Sequence, residues 1–342
     1  MSYRSEALVE AGFRAADAAA TFPRLNLSAY DETAYNQLII LTNPASRRGD
    51  QAVQAVAQLR AADSLQHMDI TEAQTSPNIE GNMALLEALD AKAVIVVYGG
   101  DGAASDVANA AQELELENPL LILPGGGKND LAYQLNESWS LRNPVRALTN
   151  GRVAALRPID VRVSDNNTGL DIYARHALAY FSFGASAEIN HQVNHPDYRK
   201  QNFHVPGQRW LAERAIAYRA IRNARPFMLS RDDQAPEPAI DGMAINGKRM
   251  YGTLHPKADL LEPAFRFVPS SNRPRALGHV ASMMAGLSLG DRLEPDDKLN
   301  LTVFGNHLWV QSDGESEALP DDCRIELSLA AHGLTVVTDR RQ

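Results

Sequence analysis

Cysteine is almost absent: Cys323 is the single one in 342 residues. One thiol cannot build an intrachain disulfide framework or a multi-thiolate metal site, so a reducing compartment fits. Positive charge is also scarce, with 33 Lys and Arg against 42 Asp and Glu and a formal net charge of -9. A general nucleic-acid binder would carry a basic face, and the overall balance gives no pull toward an anionic membrane, which leaves only a local basic patch open. Long apolar runs are missing too. No stretch reaches the roughly 20 uninterrupted apolar residues of a membrane span. Glu6, Glu10, Arg14 and Asp17 interrupt any apolar signal-peptide core. The expectation is a soluble, cytoplasmic protein without internal repeats or low-complexity tracts.

What remains is a globular composition, 44% hydrophobic and 22% charged, long enough for two domains. Short runs of branched apolar residues read as buried parallel strands. Leu38-Ile39-Ile40-Leu41-Thr42 is the first, ending in the polar turn Asn43-Pro44-Ala45-Ser46, and a helical pattern follows over 50–62. A second strand is predicted near Met68-Asp69-Ile70, with Thr75 in the loop after it, then a helix from Asn78 to Leu89. Val94-Ile95-Val96-Val97-Tyr98 runs into Gly99-Gly100-Asp101-Gly102, and Leu120-Leu121-Ile122-Leu123 runs into Pro124-Gly125-Gly126-Gly127-Lys128-Asn129-Asp130. Glycines straight after a strand let the backbone turn sharply and present N–H groups to an anion at a helix start. Two such turns in a doubly wound α/β domain suggest a nucleotide-phosphate site.

After about residue 155 the runs become short and alternating, as in Tyr180–Phe183, Leu299–Val303 and Ile325–Leu329, which predicts an antiparallel, β-rich second domain. One helix interrupts it, from about Arg209 to Asn223. It reads as a basic amphipathic helix that either docks on a membrane surface or packs Leu211, Ala215, Tyr218 and Ile221 onto a sheet, and packing is the favoured expectation. His191 and His195 have helical spacing, but Asn190, Asn194 and Pro196 favour an irregular loop there. Residues 1–34 read as a helix and a connector with no assigned function.

These residues resemble the diacylglycerol kinase catalytic-domain family, with its sphingosine and bacterial lipid kinase members. The resemblance rests on Asn43-Pro44-Ala45-Ser46, on Gly99-Gly100-Asp101-Gly102-Ala103 followed by Asp106 and Asn109, on Pro124 to Asp130, and on Asp313-Gly314-Glu315. It implies a phosphotransferase with an alcohol acceptor, using ATP and Mg²⁺, built from an α/β N-terminal domain over 36–153 and a β-rich domain over 154–330. Residues 1–35 are then an extension, and 331–342 a tail that returns to the first domain.

The resemblance also assigns roles. Asp101 would hold Mg²⁺ against the phosphates, unless it only bonds its own turn. Gly99, Gly100 and Gly102 would admit phosphate, or simply make tight turns. Asn43 and Ser46 would contact phosphate or cap a helix, and Thr75 would lie near the nucleotide or on a surface loop. Gly126 and Gly127, with Gly125, would open a nest of backbone N–H groups to phosphate and Lys128 would add a positive charge beside it, while Asn129 and Asp130 would organise the second turn and the inter-domain cleft, Asp130 being equally a helix cap. Glu315 would be the general base and Asp313 would preserve its turn, against the bland alternative of an Asp-Gly hairpin.

Two family threonines are replaced, by Ala103 and Gly127, which removes two hydroxyls from the phosphate site. A family metal site in the second domain would fall on Glu262, but Pro263 stands where a glycine belongs. The implied partner is a lipid or other hydroxyl-bearing small molecule in an inter-domain cleft, with peripheral membrane contact at most, no nucleic acid, and a homodimer left open. A same-fold kinase acting on a soluble acceptor, and a nucleotide-binding regulatory protein with weakened catalysis, are the alternatives.

Overall fold

In the computed structural model the described residues run from 24 to 338, apart from 29–30, 32, 47–48, 137–142, 202–203, 206, 233, 247–248, 251–252, 255–264, 285–290, 294–295 and 306–307. The chain divides into two compact units. One takes the chain to Pro158 and again from Ala331, and the other begins at Ile159 and ends at Ala330.

The first unit alternates strand and helix. Its elements are β1 (Gln37–Thr42), α1 (Gly49–Ala61), β2 (Asp69–Gln74), α2 (Ile79–Leu86), β3 (Ala93–Gly99), α3 (Asp101–Glu113), β4 (Leu120–Pro124), α4 (Asp130–Leu135), α5 (Pro144–Thr149) and β5 (Arg152–Leu156). β3 and β4 are buried along their whole length, as branched residues covered on both faces should be. Helix α3 is built from small residues, and Ala104 to Ala111 are all buried, because alanines let a helix lie close to its neighbours. Asn78 caps α2 through a side-chain bond from the Gly81 N–H, which is why the predicted helix begins there.

The second unit is mostly antiparallel. Its strands are β6 (Ile159–Asp165), β7 (Asp171–Ala177), β8 (Tyr180–Gly184), β9 (Phe227–Arg231), β10 (Glu237–Ala239), β11 (Asp241–Ile245), β12 (Arg249–Met250), β13 (Thr253–Leu254), β14 (Phe265–Ser270), β15 (Asp291–Leu293), β16 (Leu299–Phe304), β17 (Trp309–Ser312), β18 (Glu315–Ala318) and β19 (Cys323–Leu329). Helices α6 (Ala185–Asn194), α7 (Pro196–Arg199), α8 (Gln208–Asn223) and α9 (Arg273–Met284) are set among them.

Two six-stranded sheets form, in the orders β10-β9-β16-β19-β6-β7 and β15-β14-β11-β8-β17-β18. Alternate residues of both meet in one cluster, among them Val161, Phe181, Phe183, Leu301, Val310 and Ile325, so the sheets pack face to face. Cys323 sits in that cluster, and burial pushes its thiol up to about 12, an inert structural thiol.

The chain then returns as β20 (Leu334–Thr338). The first unit's sheet has the order β2-β1-β3-β4-β20-β5, with β20 parallel to β4 and antiparallel to β5. The expected boundary near 153 lies a few residues later, after Pro158, because β5 pairs with β20 along its whole length.

Two local expectations are overturned. The segment holding His191 is not a loop but helix α6, whose last residue is Asn194, and His195 caps the next helix by accepting the Asp197 N–H. Helix α8 does not pack the residues expected of it: Ile221 is buried, but Leu211 and Tyr218 are exposed. Its inward side centres on Ile221, which packs with Ile240 among the alanines Ala185, Ala224 and Ala276, and Ala220 beside it is buried as well. The predicted helix over 1–34 lies outside the described residues apart from 24–28, 31, 33 and 34. Among the described residues no helix is long and apolar enough to cross a membrane.

Candidate functional site

Strands β2, β1, β3 and β4 are parallel neighbours, so their carboxyl ends share one edge. Loops at that edge build ligand sites in open α/β sheets. Asn43 and Ser46 follow β1 there, Thr75 follows β2, Gly99 to Ala103 join β3 to α3, and Pro124 to Asp130 join β4 to α4. The first unit therefore brings together every candidate that the sequence placed in 43–130.

The two glycine turns lie backbone to backbone. The Gly125 N–H donates to the Gly99 carbonyl at 2.7 Å. A Cβ on Gly126 would sit 2.6 Å from the Gly100 Cα, and one on Gly125 would sit 3.0 Å from the Gly99 Cα and 2.8 Å from the Ser46 Oγ. Glycine is required here by the other turn. Ser46 joins in, donating its hydroxyl to the Gly125 carbonyl at 2.6 Å. Asn129 takes a left-handed conformation at φ 56°, accepts the Gly126 N–H at 2.6 Å and donates back to the Gly126 carbonyl at 3.1 Å. Asn43 accepts the Ala45 N–H at 2.9 Å, closing an Asx turn. Thr75 is buried rather than on a surface loop, its N–H bonded to the Thr42 carbonyl.

Asp101 ties the turns together. It opens α3, is half-buried, and accepts the Leu131 N–H of α4 at 3.0 Å. Burial raises its carboxyl above the ordinary carboxylate value, while the N–H groups of Leu131, Asp130 and Asn129 and the Lys128 ammonium pull it the other way. Asp130 is buried as the first residue of α4, and Asn129 takes the cap position. Gly127 is exposed and Lys128 half-buried.

The thirteen-residue helix α3 starts at Gly100 without a side-chain cap. The N–H groups of Asp101, Gly102 and Ala103 have no carbonyl four residues back within the helix, and the helix dipole favours an anion there. Asp106 and Asn109 are buried on α3, and Asn109 donates to the Ser105 carbonyl at 2.9 Å.

In the second unit Asp313 and Gly314 form a two-residue turn between β17 and β18, with φ values of 47° and 102°. Asp313 is buried, and its carboxylate accepts the N–H groups of Leu178 at 2.6 Å, Ala179 at 2.9 Å and Tyr180 at 3.1 Å. Two residues that the sequence reading used only as loop markers hold the same turn. Asn190 and Asn194 donate to the Gly314 carbonyl at 2.7 and 2.9 Å, and Asn190 also reaches the Ser316 hydroxyl. Their spacing of four on one helix face was the available signal.

Glu315 follows the turn, exposed, opposite Ser312 in the hairpin. Glu262 lies outside the described residues. His191 stacks on Trp309 with ring centroids 3.8 Å apart, and burial and the neighbouring His195 lower its pKa. Among the described residues no group of three His, Cys, Asp or Glu could hold a metal ion. One carboxylate such as Asp101 suffices for an Mg²⁺ that arrives on nucleotide phosphates, since that ion keeps most of its ligands as water and phosphate.

Residues 37–162 match the diacylglycerol kinase catalytic domain model. No curated protein matches the chain. A diacylglycerol kinase crystal structure from Bacillus anthracis str. Sterne superposes with a TM-score of 0.63 at 17% identity, covering 90% of this chain and 98% of that one. A candidate diacylglycerol kinase from the same organism gives 0.61 at 19% identity, covering 89% and 97%. At such identities the likeness establishes the fold. The chain thus carries, over residues 37–162, a match to the diacylglycerol kinase catalytic domain, and it has the fold of those bacterial structures.

Proposed function

We propose that the chain is an ATP-dependent kinase that phosphorylates a hydroxyl of a lipid acceptor. The observation that carries this reading is the start of α3, without a side-chain cap, at the carboxyl edge of a parallel sheet, with Asp101 at its first position and Lys128 in electrostatic reach. Phosphoryl transfer is mostly positioning and charge stabilisation, and this edge offers both. The N–H groups of Gly102 and Ala103 would receive phosphate oxygens, and Lys128 would add a positive charge beside them. Asp101 would hold Mg²⁺ through its carboxylate, which the Leu131 N–H bond keeps in place. When bound, Mg²⁺ neutralises charge on the phosphates.

Ala103 and Gly127 supply no hydroxyl, and each lost contact would cost on the order of 1–3 kcal/mol of binding. In this proposal Lys128 and the backbone N–H groups offset that loss. Glu315 is assigned as general base, taking the proton of the acceptor hydroxyl. Asp313 is a positioning residue, because its carboxylate is already committed to three backbone N–H groups. The lipid acceptor is the reading that the family match favours.

The test is calorimetry with MgATP, together with transfer of labelled phosphate into mixed lipid micelles. Binding, plus transfer that is lost in Glu315→Ala, is the expected result. Binding without transfer to any lipid would move the acceptor to a soluble molecule. Absence of MgATP binding would overturn the kinase reading.

A further inference from the structure

Helix α8 buries Ile221 but leaves three of its other large apolar residues exposed. Trp210 is 54% exposed, Leu211 61% and Tyr218 54%, and Val205 just before the helix is 64% exposed. Among the described residues nine large hydrophobics are exposed, and these four fall within fourteen positions of one another, so they form a patch rather than scatter. At about 100° per residue, Trp210, Leu211, Arg214, Tyr218 and Arg222 share an arc of about 120° on the helix, in which Ile221, near the helix end, is the buried member.

Arg214 and Arg222 lie on this arc, Arg219 about 60° beyond its edge and Arg225 just past the helix end; Arg219, Arg222 and Arg225 are exposed, and the Arg214 guanidinium lies 3.4 Å over the Trp210 ring centroid. Glu213, the one acidic residue of α8, is held by Arg209 at 2.9 Å. A local cluster of arginines on a chain of net charge -9 needs an anionic partner to be stable when covered. A second copy of the chain fits poorly, since a two-fold contact would set the arginines against themselves. Aromatic rings and a leucine between arginine stems are the composition of a helix that lies in a lipid headgroup layer.

We propose that α8 docks the second unit on an anionic lipid surface. Leu211, Tyr218 and Trp210 enter the headgroup and acyl boundary, and Arg214, Arg219, Arg222 and Arg225 lie at phosphate level. The docking stands on this face alone, and its use for reaching a lipid acceptor rests on the kinase reading above. A cavity of about 310 Å³ opens where α8 ends, walled in part by Asn223, Arg225, Phe227, Glu188 and Trp309.

The test is co-sedimentation of the full chain with vesicles of phosphatidylcholine, with and without phosphatidylglycerol, across a salt series. The wild type is expected to bind the mixed vesicles, to blue-shift its tryptophan emission on doing so, and to release at high salt. Arg219→Gln with Arg222→Gln should lower the partition coefficient roughly tenfold to thirtyfold. Leu211→Glu with Tyr218→Glu should abolish binding, and because both side chains are exposed the thermal unfolding curve should not move. Val53→Glu, at an exposed site on α1, should bind as the wild type does. Equal partition into neutral vesicles, or binding that survives Leu211→Glu with Tyr218→Glu, would overturn the proposal. A concentration-dependent dimer without vesicles, lost in the same double variant, would reassign the face to a second copy of the chain. Calorimetry with MgATP on the same proteins separates the two readings: no nucleotide binding ends the kinase reading while the vesicle result stands on its own.

Discussion

The glycine turns of the first unit and the Asp313–Gly314 turn of the second are all tight, yet they are held by opposite means. At the parallel-sheet edge, backbone touches backbone: Gly100 meets Gly126 and Gly99 meets Gly125, with no room for a Cβ on Gly125 or Gly126. At the hairpin, a Cβ on Gly314 would meet nothing within 4 Å, and side chains from Asp313, Asn190 and Asn194 do the holding. The first design leaves its edge open to whatever binds there. The second spends buried polar groups to fix the residue before Glu315. Rigidity at each place therefore fails under different substitutions.

The sharpest break comes from Asp313→Ala, which would strand the N–H groups of Leu178, Ala179 and Tyr180 in the interior. A loss of about 3–5 kcal/mol in urea unfolding is expected, while MgATP binding by the first unit should be little changed in the protein that remains folded.

Acidity separates the units next. Asp241 accepts the N–H and hydroxyl of Ser186 at the start of α6, and burial raises its carboxyl from 3.8 to about 7 against those two bonds. An acid with a raised folded pKa keeps its proton longer in the native state. Its contribution is therefore most favourable below pH 3.8 and is lost as pH rises to about 7. Between pH 5 and pH 7 the wild type should lose roughly 2 kcal/mol that Asp241→Asn does not lose, read by urea unfolding at each pH.

Gly126→Ala sets a methyl group against the Gly100 backbone. It should cost about 1–3 kcal/mol of stability and weaken MgATP binding by calorimetry, whereas Gly314→Ala should cost less and act through its positive φ. The smallest effect belongs to Asn194→Ala. It removes one of two donors to the Gly314 carbonyl and should cost about 1 kcal/mol, with nucleotide binding unchanged.

Strands β3 and β4 and the two glycine turns after them were legible because each is a local pattern: four branched apolar residues in a row, then glycine within two residues. The second unit's alternation was legible for the same reason. The contacts between the turns were not, because Gly126 says nothing about which backbone will lie against it. Asn190 and Asn194 read as loop residues because polar residues in a short helix resemble a loop until their partner, residue 314, is known. The exposed face of α8 was misread for a related reason. Amphipathicity reveals that a helix has two sides, and here Ala220 and Ile221 meet the protein while Leu211 and Tyr218 do not.

Strand β20 carries a consequence for the order in which this molecule is made. It lies inside the first unit's sheet, between β4 and β5, yet it is translated after the whole second unit. While the ribosome is still reading codon 334, β4 has an open edge and β5 has no strand to pair with. The nascent first unit therefore waits, incomplete and exposed to chaperones, until the second has emerged from the exit tunnel.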